Sequence, residues 1–453
     1  MKQAIIIFQV IFWGLICFGC KDFLDERPDK SLVIPSTLED LQAILDDYNN
    51  IVGDPTYGEI SADDYYLTDV GWSNIPEEGH RRAYMWEKDY LFSEITSLEW
   101  LNVYRNVYKA NTVLEKLDDI ERNEKNKKSW DDIKGQAYFL RARSFLSIVN
   151  IWTVGYDPRT AKEKLGIPLR LESDFNVQSK RASLEETYST ILNDLDKAIS
   201  LLPITTIHPS RASIVAALAL QARAYLFMRD YENCERVSNE CLKLKNDLLD
   251  FNQMDSKKTY PVPQFNQEVI YESQIGNPQP LRATRAKIDS TLMLLFEEND
   301  LRKVVFFQDN KDGSFGFKGS YQGSGTLFSG LATDELYLMR AECLVRNGDI
   351  KGALDDLNKL IKSRWDNKMD FKPVEVSEKE QLLDLILLER RKELLMRGIR
   401  WPDIKRLNLE GRGITLTRRI NNQTVLLEPN DLRFALPIPE SVVDIGKIEQ
   451  NPR

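Results

Sequence analysis

The arrangement of apolar and polar residues along the chain predicts a mostly helical protein. Apolar side chains recur at spacings of three and four residues, which places them on one face of a helix. The segments with this pattern are 38–45, 100–117, 133–152, 184–202, 213–244, 334–361 and 380–397. Strand-like sequence is scarce, and the better candidates are 267–273 and 304–307. We therefore expect an α-class fold with little β structure.

Long loops separate these helical segments. The predicted loops are 53–93, 153–181, 251–285, 308–331 and 411–439. In several of them aromatic residues stand among Gly, Asp and Asn, and binding residues are often carried on loops that a rigid scaffold positions. The loops are therefore the first place to look for a ligand site.

Two helical segments carry the pattern of tetratricopeptide (TPR) repeats, in which two antiparallel helices have small residues where they cross. Residues 216–242 fit the pattern, with Cys234 at a position that usually holds Ala. Residues 337–360 fit better, because Ala341 precedes an Asn-Gly-Asp turn. Any antiparallel helix pair with a Gly-Asp turn is the alternative. The predicted TPR-like helices span about 131–246 and 333–363.

The amino terminus predicts an export signal. Lys2 precedes an apolar run, 4–18, which is short for a membrane-spanning helix that needs about 20 apolar residues. Gly19 and then Cys20 follow the run, as in bacterial lipoproteins whose cysteine thiol carries a lipid. An ordinary signal peptide with an unrelated cysteine is the alternative. The predicted division is a signal peptide, a lipid-anchored tether and a single body, at 1–19, 20–36 and 37–453.

Charge and composition argue against several functions. The chain has 61 Lys and Arg residues against 70 Asp and Glu residues, and its net charge of −9 disfavours a nucleic-acid partner. Two histidines cannot build a His-rich metal centre. Adjacent acidic residues such as Asp63 and Asp64 point apart on a helix or strand, and no triad or nucleophile-elbow motif occurs. We therefore expect a non-catalytic protein and predict no metal or cofactor.

Motifs spread over the chain resemble those of the SusD/RagB-type outer-membrane lipoproteins of Bacteroidota. The resemblance begins with Cys-Lys-Asp-Phe-Leu-Asp from Cys20. Its most specific motifs are Glu-Arg-Arg-Lys-Glu-Leu, Arg-Trp-Pro-Asp-Ile-Lys-Arg-Leu and Leu-Pro-Ile-Pro, at 389–394, 400–407 and 436–439. Weaker matches lie at 100–104, 110–114, 139–143, 166–169, 338–342 and 450–452. Together they follow the family's order over nearly the whole chain after Gly19.

The resemblance implies a SusD-like helical body with TPR-like helix pairs and long loops, which packs on a SusC-type TonB-dependent transporter. It implies a surface-exposed, lipid-anchored outer-membrane protein that captures an oligosaccharide or polysaccharide for uptake. A peptide ligand, as for the RagB type, is the alternative. A TPR adaptor for other proteins and a glycan-active enzyme are further alternatives. The loop-rich parts at about 53–95 and 251–331 are expected to form the ligand-binding face.

Aromatic and polar residues in those parts are the candidate ligand contacts. Sugars present apolar C–H faces and hydroxyl rims, so rigid aromatic platforms edged by Asn or Arg suit them. The candidates are Trp72, Asn74, Arg81, Tyr84, Trp86, Phe315 and Tyr321. For each aromatic residue the alternative is packing against the body.

A charged helical segment, 389–406, is open to two interpretations. Its alternating charges predict ion pairs on a solvated helix face, with Trp401 buried behind them. The alternative is a contact with the transporter.

Overall fold

A computed structural model describes residues 35–92 and 98–453. The predicted signal peptide, Cys20 and most of the predicted tether lie outside these residues. Helices dominate the described part of the chain. The helices are α1 (Leu38–Leu45), α2 (Tyr48–Ile51), α3 (Tyr57–Ser61), α4 (Asp69–Ser73), α5 (Glu78–Tyr84), α6 (Leu98–Leu117), α7 (Lys127–Trp152), α8 (Leu184–Leu201), α9 (Ile214–Met228), α10 (Tyr231–Leu244), α11 (Ser290–Met293), α12 (Arg302–Val305), α13 (Thr333–Asn347), α14 (Ile350–Arg364), α15 (Lys379–Glu393), α16 (Arg400–Leu409) and α17 (Glu440–Gly446).

The strands are short, and each pairs with only one or two others. They are β1 (Gly53–Asp54), β2 (Tyr65–Tyr66), β3 (Leu165–Pro168), β4 (Arg181–Ser183), β5 (Val269–Tyr271), β6 (Gln274–Ile275), β7 (Lys287–Ile288), β8 (Phe307–Asp309), β9 (Phe315–Phe317), β10 (Leu327–Phe328), β11 (Leu331–Ala332), β12 (Leu416–Ile420) and β13 (Gln423–Leu427). The pairing is β1-β6-β10 in one three-stranded sheet and β2-β7, β3-β4, β5-β11, β8-β9 and β12-β13 in two-stranded ones. The fold is therefore α-class with little β structure, as the periodicity predicts.

The long helices form one continuous stack. Each helix from α6 to α9 packs on the next helix along the chain, and α13 packs on α10 and then on α14 and α15. Residues 245–332 leave the stack after α10 and return at α13. The material between the two TPR-like pairs is thus an insertion that does not interrupt the stack.

The turns within the two TPR-like pairs are built alike. Helix α9 ends at Arg229, whose φ of 61° is left-handed, and Asp230 then accepts a hydrogen bond from Asn233 N at 3.2 Å. Helix α13 ends at Gly348 with φ 94°, and Asp349 accepts from Gly352 N at 2.9 Å. A left-handed residue ends one helix, and an Asp side chain satisfies a free N–H of the next.

Three predictions about secondary structure are wrong. The predicted loop 411–439 contains the β12-β13 hairpin. Residues 304–307 are not one strand, because α12 covers the first two of them and β8 begins at Phe307. Helix α12 is held in place by its first residue, Arg302. This residue is fully buried and donates to Asp300 at 2.7 Å and to Glu393 at 2.9 Å. This long-range contact is not visible in local periodicity. The predicted loop 53–93 also contains the short helices α3, α4 and α5.

The charged segment 389–406 lies inside the molecule and does not form a solvated face. Its buried charged residues are Glu389, Arg390, Lys392, Glu393, Arg397, Asp403, Lys405 and Arg406. Arg390 donates to Asp403 at 2.8 Å, and Arg406 donates to Glu342 at 2.6 Å. Buried charges are tolerated when they are paired and hydrogen-bonded. Trp401 is fully buried, as expected.

Candidate functional site

The two predicted ligand-binding parts of the chain meet in space. Strand β2 pairs antiparallel with β7, so that Tyr66 lies opposite Lys287. Helices α3 and α5 both contact the 3-10 turn Gln279–Leu281. The hairpin β8-β9 in turn contacts β7. We call the surface formed by α4, α5, residues 276–288 and the β8-β9 hairpin the loop face.

Trp72, Asn74 and Arg81 lie together on the loop face. The Thr68 side chain accepts from Gly71 N at 3.0 Å and starts α4, on which Trp72 is half-buried. The indole Nε1 donates to the carbonyl of Arg81 at 3.1 Å, which fixes the ring against α5. Asn74 ends α4 and is exposed, while the half-buried Arg81 donates to the Ile75 carbonyl. The arrangement is a partly open aromatic ring with amide and guanidinium groups beside it.

Tyr84 and Trp86 are packing residues and do not offer a surface to a ligand. Their exposed fractions are 1% and 4%. The Tyr84 hydroxyl accepts from Leu67 N at 2.8 Å, and Trp86 Nε1 donates to the Ser61 carbonyl at 2.9 Å. The guanidinium of Arg418 lies 4.0 Å from the Tyr84 ring centroid and 5.3 Å from that of Trp86. This burial does not support the prediction that they contact ligand, because Arg418 and the body already cover their faces.

The two candidates from the insertion have different surroundings. Phe315 is half-buried on β9, where it pairs with Asp309, and it stays a candidate. Tyr321 is buried, and its hydroxyl hydrogen-bonds with Glu268 and Asp334. Arg397 covers its ring at 4.1 Å from the centroid. Tyr321 thus belongs to a buried polar cluster, which does not support the prediction that it contacts ligand.

The carboxylates near Phe315 are held by their own neighbours. Ser314 donates to Asp312 from its side chain at 2.5 Å and from its backbone at 3.0 Å, and these hydrogen bonds lower the pKa of Asp312. Lys287, 3.3 Å from Asp312, lowers it further. Asp312 is therefore ionised at neutral pH and engaged within the hairpin.

A buried carboxyl group lies behind the loop face on α3. Burial, with a contribution from the Asp64 carboxylate, raises the pKa of Glu59 to about 8. The Gly398 N–H donates to Glu59 Oε2 at 2.7 Å, and Oε1 has no hydrogen-bond partner. Glu59 is thus protonated at neutral pH, which avoids the cost of burying a second charge.

Sequence reasoning missed a second open surface. Tyr108 on α6 and Phe175 in the loop after β3 stack at a centroid distance of 4.8 Å, and Phe175 is 77% exposed. They line an apolar groove of about 590 Å³ with Arg170 and Val442. An aromatic residue inside the polar loop 172–180 was the available signal.

The described residues contain neither a cluster of metal ligands nor a membrane-spanning helix. In residues 35–92 and 98–453, no group of three or more His, Cys, Asp or Glu side chains is arranged to hold a metal ion. Over the same ranges, no helix combines the length and apolar character needed to cross a bilayer.

A stack of helix pairs that carries a loop-built face defines the class of this fold. Two family models match the chain at its two ends. Residues 22–226 match a SusD-like model described as "Starch-binding associating with outer membrane", and residues 333–452 match the SusD family model. The chain belongs to the SusD/RagB family.

Relatives in sequence and structure agree with this assignment. SusD-like protein P25 of Formosa agariphila is 27% identical over 264 residues, covering 53% of this chain and 46% of that relative. SusD-like protein P38 of the same organism is 21% identical over 428 residues, covering 78% and 79%. The chain thus matches about half the length of the first relative.

Solved structures share the fold. A SusD superfamily protein from Bacteroides thetaiotaomicron has a TM-score of 0.75 and 21% identity, covering 92% of this chain and all of that one. A structure described as a putative sugar-binding protein from Bacteroides vulgatus has a TM-score of 0.75 and 20% identity, covering 93% and 99%. At these identities the structures establish the fold alone.

Proposed function

We propose that the protein is a non-catalytic, surface-exposed lipoprotein of the outer membrane that captures an oligosaccharide or polysaccharide and delivers it to a SusC-type TonB-dependent transporter. The observation that carries the proposal is the partly open Trp72, set beside Asn74 and Arg81 in the region matched by the starch-binding model. A flat ring can take the apolar face of a sugar, and the neighbouring amide and guanidinium can take its hydroxyl rim.

The rigidity of this arrangement favours binding. The Trp72 indole is fixed by its hydrogen bond to Arg81, and α5 is braced by the Gln279–Leu281 turn. A preformed platform loses little conformational entropy when ligand arrives. Phe315, on the neighbouring hairpin, is the second aromatic contact in the proposal.

A capture role without catalysis is supported by the carboxylates of the β8-β9 hairpin. A glycosidase needs two carboxyl groups that flank the scissile bond, one of them free to protonate the leaving group. Asp312 is held by Ser314 and Lys287, and Asp309 is held by Lys311 at 2.9 Å. These two carboxylates serve the hairpin.

The proposed architecture assigns a task to each part of the chain. Residues 37–453 form one body, in which the TPR-like helices at about 131–246 and 333–363 are the scaffold that faces the transporter. The parts at about 53–95 and 251–331 carry the ligand. Lipid on Cys20 holds the body at the membrane through the tether 20–36 after removal of residues 1–19. Two or more acyl chains on one cysteine give stable anchoring.

The test is retention of the mature protein in native affinity gels that contain starch, other neutral polysaccharides, anionic polysaccharides or immobilised peptides. We expect retention by a polysaccharide, and Trp72→Ala should weaken it at least about tenfold, as for an aromatic hot spot. Retention by peptides alone would replace the glycan with the RagB-type ligand.

Trp130→Ala is the matched control. Trp130 is also half-buried, and its Nε1 donates to a backbone carbonyl, that of Ile120, at the same distance of 3.1 Å. It lies on α7, in the helical stack. Equal loss of retention in both variants would show that Trp72 acts through stability and not through ligand contact.

A further inference from the structure

One segment of the loop face has an unusual charge. Residues 276–288 contain Arg282, Arg285 and Lys287 and no Asp or Glu, in a chain whose net charge is −9. Acidic residues outnumber basic ones over the whole chain, so a stretch of this length with only cations departs from its surroundings.

The structure places this segment within the proposed ligand site. Its Gln279–Leu281 turn contacts α5, which carries Arg81. Farther along, the segment packs closely against Gly316 of the β8-β9 hairpin. A Cβ atom added at Gly316 would lie only 2.8 Å from the Ala283 carbonyl oxygen. The segment therefore runs between the Trp72 side and the Phe315 side of the loop face.

Three arginines of the loop face have no ion-pair partner among the described residues. Arg81 donates to the Ile75 carbonyl, Arg282 to the Asn277 carbonyl at 3.4 Å, and Arg285 to the Gln279 side chain at 2.5 Å. A guanidinium has five N–H donors, so each keeps several donors for another group. Arg282 is exposed, and Arg81 and Arg285 are partly exposed.

The acidic side chains nearby do not neutralise these arginines. Glu78 approaches Arg82 at 3.7 Å, and Glu87 pairs with Arg82 at 2.7 Å. Asp312 is shared by Lys287 and Ser314. Among the described residues, none of these carboxylates forms an ion pair with Arg81, Arg282 or Arg285.

We propose that the loop face selects a glycan that carries anionic groups, with Arg282 and Arg285 as the specificity-determining residues and Arg81 as a third donor. The proposal rests on the proposed function and names its substrate class. Uronate carboxylates and sulfate esters both qualify, because each carries negatively charged oxygen atoms that accept hydrogen bonds from a guanidinium. Arg binds both through paired, charge-assisted N–H donors, which form stronger hydrogen bonds than the same donors make to the hydroxyls of a neutral sugar.

The experiment compares polysaccharides in the same native gels. Polygalacturonate and alginate supply carboxylates, carrageenan and dextran sulfate supply sulfate esters, and starch and dextran are neutral. We expect retention by at least one anionic polymer, weakened by added salt, and the polymer class that is retained identifies the group. Arg282→Gln/Arg285→Gln should lower this affinity at least about tenfold, since two charge-assisted contacts are lost.

Arg105→Gln/Arg236→Gln is the control, because it removes the same charge from exposed positions on α6 and α10. If both double variants lose affinity equally, the attraction is non-specific and the inference fails. Retention by neutral polymers alone, unchanged in Arg282→Gln/Arg285→Gln, overturns the anionic class but leaves glycan capture intact. Retention by none of the polysaccharides contradicts the proposed function itself. Thermal melts of all variants verify folding.

Discussion

Replacing Arg364 should destabilise the protein through two carboxylates left behind in its interior. Arg364 is fully buried at the end of α14, and it donates to Glu268 at 2.9 Å and to Glu393 at 2.7 Å. It also donates to the Leu249 carbonyl at 2.6 Å. These contacts attach residues of the insertion to the helical stack, so their loss should loosen the insertion that carries Phe315.

The expected cost of Arg364→Met follows from this geometry. Removing one partner of a buried ion pair costs about 3–5 kcal/mol, because the other charge stays buried without compensation. Glu393 keeps its bond to Arg302 at 2.9 Å, so Glu268 carries most of the penalty. Burial already raises the pKa of Glu268 to about 7 with Arg364 present, and losing Arg364 raises it further. Protonation then relieves the charge, so the loss should be larger at pH 8 than at pH 6.

Urea denaturation followed by tryptophan fluorescence measures this effect at both pH values. Arg364→Met/Glu268→Gln should recover at least about 1 kcal/mol of unfolding free energy at pH 8, since it removes the orphaned carboxylate. Arg236→Met, which breaks an exposed pair with Glu240, should cost less than about 1 kcal/mol. A loss below about 1 kcal/mol for Arg364→Met, or no recovery in the double variant, would mean that Glu268 is not left as an uncompensated buried charge.

Two further predictions concern pH and the anchor. The pKa of Glu59 is raised to about 8 in the folded protein, so its contribution to stability is complete below its unfolded pKa and declines as pH rises to about 8. Glu59→Gln should flatten this decline in denaturation curves from pH 5 to 8, and parallel curves would contradict it. Cys20→Ala, expressed with the signal peptide, should lose the acyl chains, as measured by mass spectrometry. It should also move to the soluble fraction when cells are fractionated. A variant that is still acylated would mean that another residue carries the lipid.

The helical stack could be predicted from sequence because its signals are local. Apolar spacing located the long helices, and the turns at Arg229-Asp230 and Gly348-Asp349 were readable from residues that favour left-handed and capping positions. Short helices such as α4 were missed because a single turn has no periodicity to detect. Their stability comes from contacts with distant segments, as in the bond from Trp72 to Arg81.

The candidate site was predicted less completely, because the same residue type serves both binding and packing. Trp72 and Trp86 both stand in polar, loop-like sequence, yet Trp86 is covered by Arg418, which follows it by more than 300 residues. Tyr321 lies in the predicted loop 308–331, but Glu268 and Arg397 enclose it. No local pattern contains these long-range partners. The same limit applied to the charges of 389–406, whose partners include the distant Glu342.

The central claim is that the loop face captures a glycan and leaves it intact. The most direct measurement is isothermal titration calorimetry of the mature protein with the polysaccharide retained in the gels, followed by sizing of the recovered polymer. We expect saturable binding that Trp72→Ala weakens and Trp130→Ala does not, with the recovered chains at their original length. Absence of saturable binding, or recovery of shortened chains, would contradict it.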